Sequence, residues 1–368
     1  MPSTITIKTS VAEKKIDKGQ PVFVVAELSG NHMQDYDRAV KLVRAAAEAG
    51  ADAVKLQTYT ADTITLDSDK EWFRVGGKDN PRDWQGQTLY QLYQKANTPW
   101  DWHPKLQKIA ESLGLIFFST PFDDTAVDFL EKLDVPVYKI ASYEATDTPL
   151  LKKVATAGKP VILSVGFATI EEIKLAVKTL RENGCREIAL LHCLTSYGKA
   201  PSADTAYLGN IQDLADRFGV VSGFSDNNAG IELPIAAVRA GAVIVEKHLT
   251  LSRAEGGPDA QFSLETSEFA EMTRQIRAVE KKARQREAGE IRYGPANEQE
   301  EYNKRFRRSI FVARNIAAGE KFTAENVRVV RPAFGLEPKY YEKVLGRVAT
   351  SDITAGTPLK WDLIKDKE

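Results

Sequence analysis

The chain has 368 residues, 43% hydrophobic and 27% charged, which is enough for a full core and more than one small domain needs. Fifty Lys and Arg stand against 51 Asp and Glu, a net charge of −1, so no cationic surface argues for nucleic acid as the main partner. No apolar run approaches the roughly 20 residues of a membrane span. The two cysteines, Cys185 and Cys193, lack CxxC spacing and no apolar leader opens the chain, so a cytoplasmic protein without disulfides is expected.

From about residue 22 to about 287, short β-branched runs alternate with helix-length amphipathic segments, the mark of repeated βα units. Strands are expected at 22–27, 53–57, 115–119, 136–140, 160–164, 187–192, 220–224 and 242–247. Eight such units predict a closed (β/α)8 TIM barrel. Between them, 36–49 carries Ala39, Val40, Val43, Ala46 and Ala47, and 169–182 carries Ile173, Ala176, Val177 and Leu180, each a single buried helical stripe. The unit between the second and third strands is longer: 58–100 holds Trp72, Gly76–Gly77, Trp84 and Tyr90 and reads as a lid-like insertion over the barrel mouth. A long helix is expected near 266–287, closing a barrel domain over 1–287. The polar, aperiodic 288–306 reads as a linker. Residues 307–368, with turns at Ala318-Gly319 and Ala355-Gly356 and a proline-bearing stretch at 331–338, read as a small β-rich domain.

In such a barrel the active site lies at the C-terminal strand ends. Reading those positions in chain order gives Glu27; Lys55 and Gln57; Ser119 and Thr120; Lys139, Ser142 and Glu144; Ser164; His192, Thr195 and Tyr197; Ser225 and Asp226; and Glu246 and His248. One lysine in a strand commonly pairs with a rim carboxylate. Two lysines with hydroxyls on neighbouring strands converge on one point and suit a phosphate or a phosphate plus carboxylate. Either lysine could instead form a Schiff base, as in an aldolase. His248 is a metal ligand, a general acid or a packed histidine, and His32 also lies at a strand end; His103, at a helix start, is given no chemistry. Without a Cys/His cluster a closed zinc site is not expected, and loosely held Mg²⁺ or Mn²⁺ fits better. The basic stretch Lys304, Arg305, Arg307 and Arg308 follows Glu298, Glu300 and Glu301 and reads as solvated linker.

The strings AELSGNH (26–32), GADAVKLQTYTADTITLDSDKEWF (50–73), FSTPFD (118–123), YKIASYEATD (138–147), GFSDNNAG (223–230), EKHLTL (246–251) and GPDAQFSLE (257–265) together resemble the sialic acid synthase family. Residues 309–364 look like that family's C-terminal antifreeze-like (SAF) domain. AELSGNH, LDSDKEWF and VRPAFGLEPKYYEKVLG look most like its pseudaminic acid branch. The resemblance implies condensation of phosphoenolpyruvate with the open-chain aldehyde of a 2,4-diacetamido-2,4,6-trideoxyhexose, giving a nine-carbon 2-keto acid and phosphate by cleavage of a C–O bond. It also implies that Lys55, Thr120, Lys139, Ser142, Ser164 and Ser225 hold phosphoenolpyruvate, and that Glu27 and Glu144 lie near the reacting carbons with Glu144 moving protons. Gln57, Tyr197 and Asp259 would face the sugar, with Thr195 in the strand-six motif HCLTSYGKAP (192–201). Arg331 would reach from the C-terminal domain into a partner's barrel, making a domain-swapped homodimer.

By the same resemblance a divalent metal polarises the aldehyde. His248 matches one ligand of that metal, whereas Asn227 stands where the family's Ser-Asp-His motif has its histidine. An amide oxygen suits Mn²⁺ or Mg²⁺ better than Zn²⁺, with Asn228, Asp226 or His192 as possible substitutes. The expected function is a phosphoenolpyruvate-dependent synthase. Its rivals are the same reaction on an N-acetylneuraminate or legionaminate precursor, a Schiff-base aldolase, and a catalytically impaired sugar-binding protein.

Overall fold

The structure, a computed structural model, describes residues 4–9, 13–76, 86–194, 201–280 and 289–365. All eight expected strands are present: β1 (Phe23–Glu27), β2 (Ala53–Thr58), β3 (Ile116–Pro121), β4 (Tyr138–Ile140), β5 (Val161–Ser164), β6 (Ile188–Leu194), β7 (Val221–Asp226) and β8 (Ile244–Thr250). Each pairs in parallel with the next, and β8 pairs with β1, closing a TIM barrel. The register sets Glu27 opposite both Lys55 and His248, Gln57 opposite Thr120, and Ser225 opposite both Cys193 and Glu246.

Because strand side chains alternate, each strand sends every second residue into the barrel. Lower down these are apolar, Val25, Ala53, Phe118, Val137, Ile162 and Leu191 among them, and they form one cluster. Ile5, Ile7 and Ile16 belong to that cluster. They come from a hairpin, Ile5–Lys8 with Glu13–Ile16, that closes the N-terminal end and had no sequence expectation. The outward strand faces pack on the helices. Tyr36–Glu48, capped by Asp35, buries Ala39, Leu42, Val43, Ala45 and Ala46. Ile170–Glu182 begins with a capping box of Thr169 and Glu172. The helix expected near 266–287 is described over Thr266–Glu280, and 281–288 lie outside the described residues.

The insertion after β2 forms helices Ala61–Ile64 and Leu89–Ala96 and the turn Glu71–Phe73; Gly77 and Trp84 lie outside the described residues. Its Tyr59, Ile64, Leu89, Leu92 and Tyr93 pack with Phe122, Tyr143 and Phe306 above the barrel mouth. The stretch expected as a linker is instead anchored where it is described. The Arg292 backbone N–H donates to Asn210 (2.9 Å), the Tyr293 hydroxyl donates to Asp213 (2.7 Å), and Glu298–Asn303 is helical with Glu300 and Asn303 buried. Its polar residues serve contacts to the barrel, which is why no periodicity marks them. The basic stretch is corrected too: Arg307 forks onto Glu172 (2.7 and 3.2 Å), and Arg308 is buried.

The C-terminal domain pairs Ser309–Val312 with Val327–Val330 and adds isolated bridges around a core of Ile310, Val312, Phe322, Val344 and Leu359. Gly319 and Gly356 turn at φ 80° and 75°, a region that a side chain disfavours. The domain docks on the insertion. Trp72 Nε1 donates to the Gly356 carbonyl (2.8 Å), Lys70 Nζ to that of Ala355 (2.7 Å), and the Arg331 N–H to that of Ile64 (2.9 Å). Among the described residues no helix is long and apolar enough to cross a membrane.

Candidate active site

The upper barrel layer is polar where the lower one is apolar, and it forms the floor of a cavity. Lys55 is in contact with Glu27 and donates to Thr120 (3.1 Å); Lys139 donates to Ser164 (2.7 Å) and to the Ile140 carbonyl (3.1 Å). Glu246 sits between the two ammonium groups, 3.8 Å from Lys55 and 3.5 Å from Lys139, and accepts from Ser225 (3.1 Å). All four charged groups are buried.

Burial and pairing compete here. Burial drags Lys139 below the usual lysine value despite Glu246, whereas for Lys55 the carboxylates of Glu246 and Glu27 outweigh burial and hold it above. Burial raises Glu27 against the pull of Lys55; Glu246, facing both lysines, is held below the ordinary carboxylate value although burial pushes the other way. The floor is thus two cations balanced by two carboxylates of unequal acidity, with Thr120, Ser142, Ser164 and Ser225 at its edge. Such a set can bind a compact anion and can hold a proton on Glu27.

On one wall, Glu27 accepts from the Ser29 N–H (2.9 Å) and from Gln57 (3.4 Å). Gln57 also donates to the Ser29 hydroxyl (3.0 Å), which in turn donates to Asp259. Burial raises the Asp259 carboxyl. On another wall the Asn227 amide donates to the Leu194 carbonyl (3.2 Å), which turns its oxygen toward His248 Nε2 at 3.1 Å. Burial, aided by Lys55, holds His248 well below the usual histidine value, so its imidazole is neutral.

One imidazole and one amide oxygen side by side suit a hard cation that keeps most of its ligands as water, and not a closed zinc site. Among the described residues no group of three His, Cys, Asp or Glu could hold a metal. The possible substitutes are engaged elsewhere. His192 Nε2 donates to the Ala206 carbonyl (2.8 Å), burial having pushed the ring down to about 4, so that it is neutral. Asp226 is paired with Lys247 (2.6 Å), and Asn228 donates to Asp226 (2.8 Å).

The cavity roof comes from the insertion and the C-terminal domain. Arg331 enters between Tyr93, Phe122 and Tyr143, its guanidinium 5.1 to 5.8 Å from their ring centres. It donates to Tyr93 (3.0 Å) and twice to Glu144 Oε1 (2.6 and 3.1 Å). Arg308 approaches the same Glu144 oxygen (3.4 Å) and Asp147 (3.6 Å). Glu144, expected beside the reacting carbons, does not line the cavity, although Ser142 and Tyr143 do. On the tight turn Ser142–Glu144 successive residues point about a third of a revolution apart, so Ser142 faces inward while Glu144 turns to the two arginines. Within the chain, Arg331 lines this cavity. Thr195 and Tyr197 lie outside the described residues.

Comparison with known proteins decides the family. The NeuB family matches residues 42–288, and the SAF domain matches 307–365. The chain belongs to the NeuB family. It is 39% identical to the pseudaminic acid synthase of Campylobacter jejuni over 92% of this chain and 95% of that one. It is 36% identical to the same organism's N,N'-diacetyllegionaminic acid synthase over 89% and 96%. In fold it superposes on the Bacillus subtilis spore coat polysaccharide biosynthesis protein SpsE with a TM-score of 0.82 and 34% identity, covering all of both chains.

Sequence reasoning assigns no role to four residues of this NeuB-family site: Glu246, Ser29, Tyr93 and Arg308. Glu246 is found at a strand end by the same signal that finds the lysines, which gives its place but no role. Ser29 lies two residues past β1 at a positive φ of 46°, which no local pattern announces. Arg308 sits inside a basic stretch whose counter-charges, Glu144 and Asp147, lie about 160 residues away.

Proposed function

We propose that the chain condenses phosphoenolpyruvate with the open-chain aldehyde of a 2,4-diacetamido-2,4,6-trideoxyhexose to form pseudaminic acid and phosphate, in the cytoplasm. The observation that carries the reading is the buried floor of Lys55 and Lys139 beside a polar wall of Ser29, Gln57 and Asp259, on a chain whose similarity to a pseudaminic acid synthase extends over nearly its whole length.

Lys55, Lys139 and the four hydroxyls hold the phosphate and carboxylate, displacing Glu27 and Glu246 as the partners of the ammonium groups. C3 of the donor then attacks C1 of the aldehyde, whose oxygen takes up a proton. Water adds at C2, the bond from C2 to the bridging oxygen breaks, and phosphate leaves with that oxygen; of the water's two protons, one balances the proton taken up by the aldehyde oxygen and the other leaves on the phosphate as C2 becomes the ketone. Glu27, raised by burial and linked to Ser29 and Gln57, is the proposed proton carrier. Gln57 and Asp259 face the sugar. Glu144 is proposed as a positioning residue that aims Arg331. His248 and the Asn227 oxygen would hold Mn²⁺ or Mg²⁺; when bound, such an ion supplies Lewis-acid polarisation of the aldehyde.

The test is phosphate release from phosphoenolpyruvate carrying ¹⁸O at the bridging position, with a panel of hexosamines and with or without EDTA. Labelled phosphate and a nine-carbon product with the diacetamido sugar alone support the reading. Borohydride trapping of a donor on Lys139 or Lys55 would replace it with the Schiff-base aldolase. For assembly we propose a domain-swapped homodimer, in which Arg331 of one chain serves the barrel of the other. Mixing Arg331→Ala with Lys139→Ala chains restores activity if the C-terminal domains exchange, and does not if each arginine serves its own barrel.

A further inference from the structure

We propose that Ile64, Leu89 and Leu92 of the insertion are the acceptor-specificity element: they receive the C6 end of the sugar and select a methyl over a hydroxymethyl group there. This rests on the condensation proposed above and adds which protein groups read the far end of its acceptor. The three side chains line the same cavity as the lysine floor, are buried, and offer neither donor nor acceptor. They come from two short helices, Ala61–Ile64 and Leu89–Ala96, held in place from both sides. They share one cluster with Tyr59 and Phe122, whose rings meet edge to face at 5.2 Å, and the Ile64 carbonyl accepts the Arg331 N–H at 2.9 Å.

Chemistry orients the sugar. The carbon that bonds to phosphoenolpyruvate is C1, and the donor is held by its charges at the floor, so C1 must sit at the floor too. An open hexose chain then points C6 away from the floor and toward the roof. The polar groups placed to meet hydroxyl and acetamido substituents along the way, Gln57, Asp259 and Ser29, are on the β1 side wall. The Tyr93 hydroxyl accepts from Arg331 and keeps its own hydrogen to donate. A C6 hydroxyl set against Ile64, Leu89 and Leu92 would lose its water without gaining a partner from these three side chains, whereas a methyl group packs on them at no such cost. One apolar contact of this kind discriminates by roughly 10- to 200-fold in enzymes that rely on it.

The test uses two acceptors that differ only at C6, the 2,4-diacetamido-2,4,6-trideoxyhexose and its 6-hydroxy counterpart, with phosphate release as the readout. Wild type should prefer the 6-deoxy sugar by about tenfold or more in kcat/KM. Leu92→Asn should bring the ratio toward unity, losing on the deoxy sugar and gaining on the hydroxy one, while Leu92→Met keeps the preference. Tryptophan-fluorescence titration with phosphoenolpyruvate alone checks that each variant retains its floor. If Leu92→Asn fails that check, Ile64→Thr reads the same roof from the other helix. A wild-type ratio near unity, or a folded variant with an unchanged ratio, overturns the proposal while leaving the condensation intact. Absence of release with both sugars overturns the condensation and this inference with it.

Discussion

The floor and the roof of the cavity are built by opposite means. The floor is made of two lysines, two carboxylates and the hydroxyls of Thr120, Ser164 and Ser225, each fixed by a closed sheet whose register leaves them one direction to point, with Ser142 added from the turn after β4. The roof is made of an insertion and a second domain, aliphatic and aromatic with one arginine and the Tyr93 hydroxyl that it bonds, and it is held by contacts between segments far apart in the chain. The lesson is one of division. The rigid, charged part suits the donor that all such condensations share, and the inserted part suits whatever distinguishes one acceptor from another.

The strongest way to break that division is at the seam. Arg331→Ala leaves Glu144 buried with only Arg308 beside it, and removing one partner of a buried ion pair costs about 3–5 kcal/mol. The expected result is near-complete loss of turnover and early release of the C-terminal domain in limited proteolysis, with phosphoenolpyruvate still bound; loss of donor binding as well would deny that floor and roof are separate. Next in size is Lys139→Ala. A charge-assisted hydrogen bond of about 1.5–3 kcal/mol is lost, so the KM for phosphoenolpyruvate should rise roughly tenfold to a hundredfold while the acceptor KM holds. An unchanged donor KM would remove Lys139 from the floor.

A smaller effect concerns pH. Burial pushes Asp147 up to about 7 from its ordinary 3.8, against the pull of Arg308. The folded state then holds a proton that the unfolded state has released, so the contribution of Asp147 to stability is full below about 4 and is lost as the pH rises through about 7. Asp147→Asn keeps a helix cap at this position and should flatten that fall, read as a smaller Tm difference between pH 5 and pH 8 than wild type shows. An equal difference in both proteins would place the titration elsewhere. Smallest is metal removal. Wild type should bind Mn²⁺ weakly by paramagnetic resonance and His248→Ala should lose the signal, whereas equal binding in the two proteins would exclude His248 as a ligand.

The sequence makes the floor legible and the roof only in outline. Eight β-branched runs of the right spacing place Lys55, Lys139, Ser164 and Ser225 on one layer before any coordinates are known, because strand alternation is a local rule. Glu144 misleads, since a strand-end address says nothing of how a tight turn rotates the residues beyond it. The arginines mislead in the other direction. Arg308 reads as linker charge until the fold brings Glu144 and Asp147 to it, and 288–306 reads as linker until Asn210 and Asp213 are seen to hold Arg292 and Tyr293. The insertion is recognisable by its length, but which of its side chains would face the cavity depends on helices of four and eight residues, too short for a periodic signal.

The measurement that bears most directly on the division is the dissociation constant of phosphoenolpyruvate in the absence of sugar, titrated on wild type, Lys139→Ala and Leu92→Asn. The account predicts binding by wild type, roughly tenfold or greater weakening in Lys139→Ala, and no change in Leu92→Asn. Equal weakening in both variants, or no binding until the sugar is present, would contradict it.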